Sequence, residues 1–148
     1  MYKQILIATD GSQLATKALE HGLALAKRDN APVTVVTVTE PWPVLEMAQR
    51  AREGRADPVG QFEAVAADAA NRVLNDAAQR AGAAGVACDR VHVKDQRPAE
   101  GIIATAKDKG SDLIVMASHG RRGISRMWLG SQAYEVLAHS SVPVLIVR

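Results

Sequence analysis

The sequence predicts an α/β fold, a single domain built on an open, doubly wound, five-stranded parallel sheet with helices on both faces. Three observations lead there. Short apolar runs alternate with longer stretches of helical period along the whole chain. The runs are apolar at consecutive positions, as strands must be when helices cover both sides of a sheet. The 148 residues are one domain's length and show no internal repeat.

The elements follow in order. Lys3 to Thr9 is a β-rich run that ends at Asp10-Gly11-Ser12, where turn chemistry takes over. Ser12 suits the cap of a helix with Leu14, Ala15, Ala18, Leu19, Gly22, Leu23 and Ala26 on its apolar face, stopped by Asn30 and Pro32. Val33 to Thr39 is a second strand, β-branched throughout. From Glu40 to Gly60 no period holds, and three prolines, Trp42 and a cluster of Arg and Glu point to a lid, a binding loop or an insertion. A helix with Phe62, Val65, Ala66, Ala69, Val73 and Ala77 inward then runs to Gly82 and Gly85. Val86 to Val93 is the third strand. Pro98 opens a helix that buries Ala99, Ile102, Ile103 and Ala106 and stops at Gly110. Leu113 to Ala117 is an apolar strand, and Ser118 to Leu129 a loop rich in Gly and Arg. Gly130-Ser131 opens a last helix with Ala133, Val136 and Leu137 inward. Val142 to Val147 closes the chain as an edge strand.

Composition excludes several classes of function. Hydrophobic residues at 47% and charged ones at 23% describe a globular domain rather than a disordered chain. Aromatics at 3% leave no stacking platforms for single-stranded nucleic acid, and a net charge of +2 is too small to demand a polyanion. No nucleic-acid partner is expected. Cys88 is the single cysteine, so there is no internal disulfide, and a reducing compartment fits. No run approaches the ~20 apolar residues that span a bilayer, and no leader pattern opens the sequence. The expectation is a cytoplasmic protein without a membrane partner.

In open α/β sheets a ligand sits beyond the carboxyl ends of the strands, where the strand order reverses. Two strand tips are equipped for one. The first ends in Thr9-Asp10-Gly11-Ser12 and the fourth in Met116-Ala117-Ser118-His119-Gly120. If these strands are neighbours, their tips face each other over a crevice. Gly120-Arg121-Arg122-Gly123 can curl main-chain amides into an anion-holding nest. Gly130-Ser131 opens a helix whose unpaired N–H groups and dipole favour a phosphate. Arg121, Arg122 and Arg126 add positive charge, and the Ser131 hydroxyl is outside any capping box because Tyr134 stands three residues on. Neither GxxxxGK[ST] nor a GxGxxG after the first strand is present.

Plainer readings stand beside these. Ser12 is mainly a cap, and the arginines fit solvated loop positions. His119 lacks a second ligand for a metal, while His21, His92 and His139 suit the surface or helix ends. Cys88 reads as an inert strand residue. Met127-Trp128-Leu129 suits a core plug or a subunit contact equally.

Asp112 to Gly123, Gly130-Ser131, Ser141 to Val147 and the opening Ile5 to Ser12 together resemble the universal stress protein family over essentially the whole chain. The nucleotide-binding branch carries Gly, two residues, Gly, nine residues, then Gly-Ser or Gly-Thr. Here this pattern falls on Ala117, Gly120, Gly130 and Ser131, with the first glycine replaced by alanine. An extended backbone at Ala117 would make that change conformationally free; a left-handed one would cost about 1–2 kcal/mol. The place at the end of an apolar strand favours the extended case.

The resemblance implies a Rossmann-like fold of the adenine nucleotide alpha hydrolase type, with ATP and Mg²⁺ (or Mn²⁺) as ligand. It places Ala8, Thr9 and Asp10 at the nucleotide, with Asp10 facing the ribose or the metal. Val38 would offer backbone to adenine, and Met116 would pack on the base, with Ala117 behind it. His119, Gly120, Arg121, Arg122 and Gly123 would run beside the phosphates. Gly130, Ser131, Gln132 and Ala133 would complete the cradle. It also implies a homodimer through Val144 to Val147. The leading expectation is an ATP-binding regulatory or stress-response protein that is not an efficient enzyme, with occupancy as its switch. The alternatives are a slow ATPase, for which Asp10 would orient water, and a dimeric scaffold without nucleotide. No motif points to a particular downstream protein.

Overall fold

The structure, a computed structural model, describes residues 1–120 and 129–148. Arg121, Arg122, Gly123, Arg126, Met127 and Trp128 lie outside the described residues. Five parallel strands form one sheet in the order β3-β2-β1-β4-β5. They are β1 (Ile5–Ala8), β2 (Val33–Val38), β3 (Cys88–Val93), β4 (Leu113–Ala117) and β5 (Val144–Val147). The helices are α1 (Gln13–Asp29), α2 (Val44–Arg52), α3 (Pro58–Ala84), α4 (Pro98–Asp108) and α5 (Ser131–His139). Strand boundaries fall one or two residues inside most of the expected runs. Some run ends stay bonded to the neighbouring strand, as where the Thr9 and Thr39 N–H groups donate to the Val36 and Val93 carbonyls.

Each face of the sheet has its own apolar cluster. On one, Ile5, Ile7, Val33, Val35, Leu113 and Val115 pack under α1 and α3. On the other, Leu6, Ala8, Val36, Ile114 and Met116 pack under α4 and α5. Alternate residues of each strand thus serve opposite layers, which is why the runs read as continuously apolar. α1 approaches closely because its inner face is small: a Cβ on Gly22 would lie 2.6 Å from Ile7 Cδ1. Asn30 ends that helix in the left-handed conformation, with φ of 53°.

Two carboxylates tie down the chain leading into β1. Asp112 accepts from the Lys3 and Gln4 N–H groups at 2.8 and 3.1 Å, and Asp29 accepts from the Tyr2 N–H at 2.9 Å. Partial burial works against the Asp112 anion, but the backbone donors outweigh it and hold the carboxyl below its ordinary range. Hydrogen bonds from Arg28 and Tyr2 do the same, more strongly, for Asp29.

Three expectations are corrected. The stretch from Glu40 to Gly60 is not an unstructured connection, because it contains α2 and the start of α3. α2 is a helix of good formers with a Glu46–Arg50 pair, but it buries only Met47, so no apolar stripe betrays it. On α3 the buried residues are Ala70, Leu74, Ala77 and Ala81. The expected face was displaced by about one position: Ala77 is inward, whereas Val65 is exposed. On the first turns of α3 Phe62 is only half-buried and Val65 is exposed, and the buried residues begin at Ala70. Leu137 is 43% exposed on α5, where Ala133 and Val136 alone face inward.

The two rims of the sheet differ. β3 presents exposed Asp89 and Arg90, whereas Val144, Leu145 and Ile146 of β5 are half-buried aliphatics. Among the described residues no helix is long and apolar enough to cross a membrane.

Candidate functional site

β1 and β4 are neighbours, pairing Ile5 with Leu113 and Ile7 with Val115. From β1 the chain steps to β2 and β3 on one side, then returns to β4 and β5 on the other. The reversal leaves a crevice above the carboxyl ends of β1 and β4, the place an open sheet offers a ligand. A cavity of about 420 Å³ fills it. That is within the usual range for small-molecule sites.

Every expected site residue that falls among the described ones lines this cavity. Ala8, Thr9 and Asp10 come from the tip of β1, and Val38 from that of β2. Met116, Ala117, His119 and Gly120 come from β4 and its exit, and Gly130 to Ala133 from the start of α5. Arg121, Arg122 and Gly123 lie outside the described residues.

At the exit of β1, Thr9 and Asp10 organise the turn. The Gly11 N–H donates to Thr9 Oγ1 at 3.2 Å, and the Ser12 N–H to Asp10 Oδ1 at 2.9 Å. Gly11 takes φ of 79°, as the turn demands. Ser12 Oγ accepts from the Ala15 N–H at 3.2 Å, so it is the cap expected from the sequence.

The exit of β4 is built on close approach. A Cβ on Gly120 would lie 2.8 Å from Asp10 Oδ2, and one on Gly130 would lie 2.7 Å from the Ser118 carbonyl oxygen. Neither glycine has a positive φ, so space rather than a left-handed backbone selects them. Ala117 closes β4 in extended conformation, which settles the replaced glycine of the motif: its alanine carries no backbone strain. Its methyl adds to the cavity wall.

The Gly130 N–H is not a free donor, because it bonds to the Ser118 carbonyl at 2.9 Å. The first helical bond of α5 runs from the Tyr134 N–H to the Gly130 carbonyl. Thus the amides of Ser131, Gln132 and Ala133 stand ahead of the helical ladder, and Gly130 provides no side-chain cap for them. Gln132 differs from its neighbours, since its Oε1 accepts from the Ala99 N–H of α4 at 3.0 Å. His119 Nδ1 shares a hydrogen bond with Ser118 Oγ at 3.0 Å.

Sequence reasoning missed Ala15, Val36, Thr37, Glu40, Pro98, Ile102 and Ser118, which also line the cavity. Most are wall residues brought by α4 and β2. Only the strand order could have placed them. Glu40 follows β2 and adds a second carboxylate, with that of Asp10, to the lining of the cavity. Among the described residues no cluster of three or more His, Cys, Asp or Glu side chains could hold a metal alone. His21 and His139 are exposed, as the plainer reading has it, whereas His92 is half-buried in β3. His92 Nε2 bonds to Thr39 Oγ1 at 2.7 Å, and His139 lies at the end of α5 against Glu135. Burial pushes the Cys88 thiol up, away from a reactive thiolate.

Comparison with known proteins gives the same picture from another side. A curated relative from Thermus aquaticus, the universal stress protein in the QAH/OAS sulfhydrylase 3′ region, is 33% identical over 150 residues, covering both chains in full. The structure of hypothetical protein MJ0577, solved for a structure-based assignment of its biochemical function, superposes with a TM-score of 0.80 at 28% identity. The match covers 99% of this chain and 96% of that one. A universal stress protein in complex with cAMP shares the fold at a TM-score of 0.70 and 24% identity, over 99% and 97% of the two chains. Another, from Archaeoglobus fulgidus in complex with dAMP, does so at 0.69 and 21%, over 99% and 98%. The model of the universal stress protein family matches residues 1–148, and the chain belongs to that family.

Proposed function

We propose that the cavity binds an adenine nucleotide, with ATP and a divalent cation as the best-fitting occupant, and that the protein is a nucleotide-dependent regulator. One observation carries this reading: a hollow at the strand-order reversal is lined by Ser131, Gln132 and Ala133, whose amides no side chain caps among the described residues. Such amides, at the positive end of a helix, favour a phosphate. Apolar walls from Met116, Val38 and Ile102 suit a base. Two related folds hold cAMP and dAMP, which share adenine on a pentose that carries one phosphate.

The family resemblance brings a divalent cation with the triphosphate, and the Asp10 and Glu40 carboxylates line the same hollow. Mg²⁺ or Mn²⁺ commonly bridges phosphates while taking one or two carboxylates and waters, and Asp10 is the group that would hold it. When bound, the ion would neutralise phosphate charge. The protein's own part is to orient the phosphates at α5 and the base against Met116.

β5 is the rim on which a second copy would dock. The Ile114 N–H bonds to the Pro143 carbonyl and the Ser118 N–H to the Val147 carbonyl, so alternate residues of β5 face β4. Val144 and Ile146 therefore turn their backbone groups outward, where a partner strand could take them up. A thermal-shift titration tests the nucleotide reading, because a ligand at 100 times its Kd adds about 2.7 kcal/mol of stability. A rise in Tm with MgATP supports it. An unchanged Tm at millimolar MgATP and AMP overturns it in favour of a scaffold without nucleotide.

A further inference from the structure

Two helix N-termini reach the cavity, and one side chain joins them. Pro98 and Ile102 of α4 line one side, and Ser131 to Ala133 of α5 the other. At the N-cap of α4, Arg97 makes no side-chain hydrogen bond to the helix. The cap comes from α5 instead, through the Ala99 N–H to Gln132 Oε1 bond. α4 itself is seated hard on the sheet, since a Cβ on Gly101 would lie 2.9 Å from Val38 Cγ2 and 3.2 Å from Val93 Cγ1. The Gln132 carboxamide thus ties the first turn of α5 to a helix whose place is set by β2.

That bond also fixes which way the carboxamide points. With Oε1 accepting from Ala99, the other end is the NH₂ group, a pure donor. Among the described residues Nε2 has no hydrogen-bond partner. Nor is it one of the buried polar atoms without a partner, so it borders open space in a residue that lines the cavity. A donor held in one orientation beside three uncapped amides suits an anionic oxygen.

We infer that Gln132 both positions and binds: Oε1 caps α4 while Nε2 donates to a phosphate oxygen of the ligand, so that occupancy stiffens the first turn of α4. This rests on the nucleotide reading above and deepens it with a side chain and a route out of the site. The route is short. Phosphate orders the carboxamide, the carboxamide holds the Ala99 amide, and α4 feels the ligand without touching its phosphates.

The test uses the full chain, AMP and adenosine, with calorimetric titration and amide hydrogen exchange. Gln132→Glu keeps the length and the acceptor for Ala99 but replaces the donor with a negative charge. Gln132→Met removes both functions. Gln132→Glu is expected to weaken AMP about tenfold or more and adenosine less than about threefold, with little change in Tm. AMP should slow exchange at the Ala99 amide in the native chain and fail to do so in Gln132→Met. A Gln132→Glu chain that binds AMP normally, or loses AMP and adenosine equally, overturns the inference. A native chain that binds neither compound overturns the nucleotide reading itself, and does so before any variant is made.

Discussion

α1 and α5 begin on the same rim of the sheet, after neighbouring strands, yet their first turns are finished differently. At α1 the donors are used locally: Thr9, Asp10 and Ser12 side chains accept from the Gly11, Ser12 and Ala15 amides. At α5 the cap is Gly130, whose own N–H is spent on Ser118, and the amides of residues 131–133 receive no side chain. The helix dipole is the same in kind at both ends. Side chains decide whether it is consumed inside the protein or offered to a ligand. Strand, turn and helix therefore form a unit whose amides are capped locally in one copy and, among the described residues, left uncapped in the next.

Substitutions can break or sharpen that contrast. Gly130→Val should have the largest effect, because its Cβ meets the Ser118 carbonyl, a backbone atom that cannot turn away. Nucleotide affinity should fall about a hundredfold, and denaturant unfolding should show a loss of about 1–3 kcal/mol. Asp10→Asn keeps an acceptor for the Ser12 amide but removes the charge. MgATP should bind about tenfold more weakly by calorimetry, while AMP without metal should bind no worse. Ser12→Ala should cost about 1 kcal/mol of stability and leave affinity unchanged. A large affinity loss at Ser12 would show that α1 is receptive too, and the contrast would fall. Ala117→Gly should change affinity by less than about threefold, since the alanine sits in extended backbone.

The opposite rim makes a smaller, pH-dependent prediction. Asp29 and Asp112 are held below the ordinary carboxyl value in the folded chain. Their contribution is complete above the unfolded value near 4 and is lost as pH falls through the lowered folded values. Urea unfolding followed from pH 6 to pH 3 should show the decline. Asp112→Asn should flatten it and leave nucleotide affinity at neutral pH unaltered.

Much of this was legible in the sequence because burial on both faces writes itself as continuous apolar runs. β1, β2, β4 and the inner face of α1 could be read residue by residue. The crevice was legible because Asp10 and Gly120 end strands that the fold makes neighbours. α2 was not, since a helix that buries Met47 alone has no stripe to detect. The face of α3 was misread because its buried residues begin only at Ala70, and the apolar Phe62 and Val65 belong to turns that bury nothing fully. The Gln132–Ala99 bond joins residues 33 apart in sequence through a side chain from another helix, and no local pattern encodes it. Gly120 and Gly130 were found by spacing, but their reason is crowding by Asp10 and Ser118, which only coordinates reveal.

The unlike rims of the sheet also bear on stoichiometry. A sheet whose two margins were both aliphatic and open could add copies without limit, each new protomer exposing another sticky border. Here Asp89 and Arg90 mark one margin with charge, and only the other is oily. Two copies that met along the oily side would leave charged borders at both extremities, so the assembly would terminate at a pair rather than polymerise.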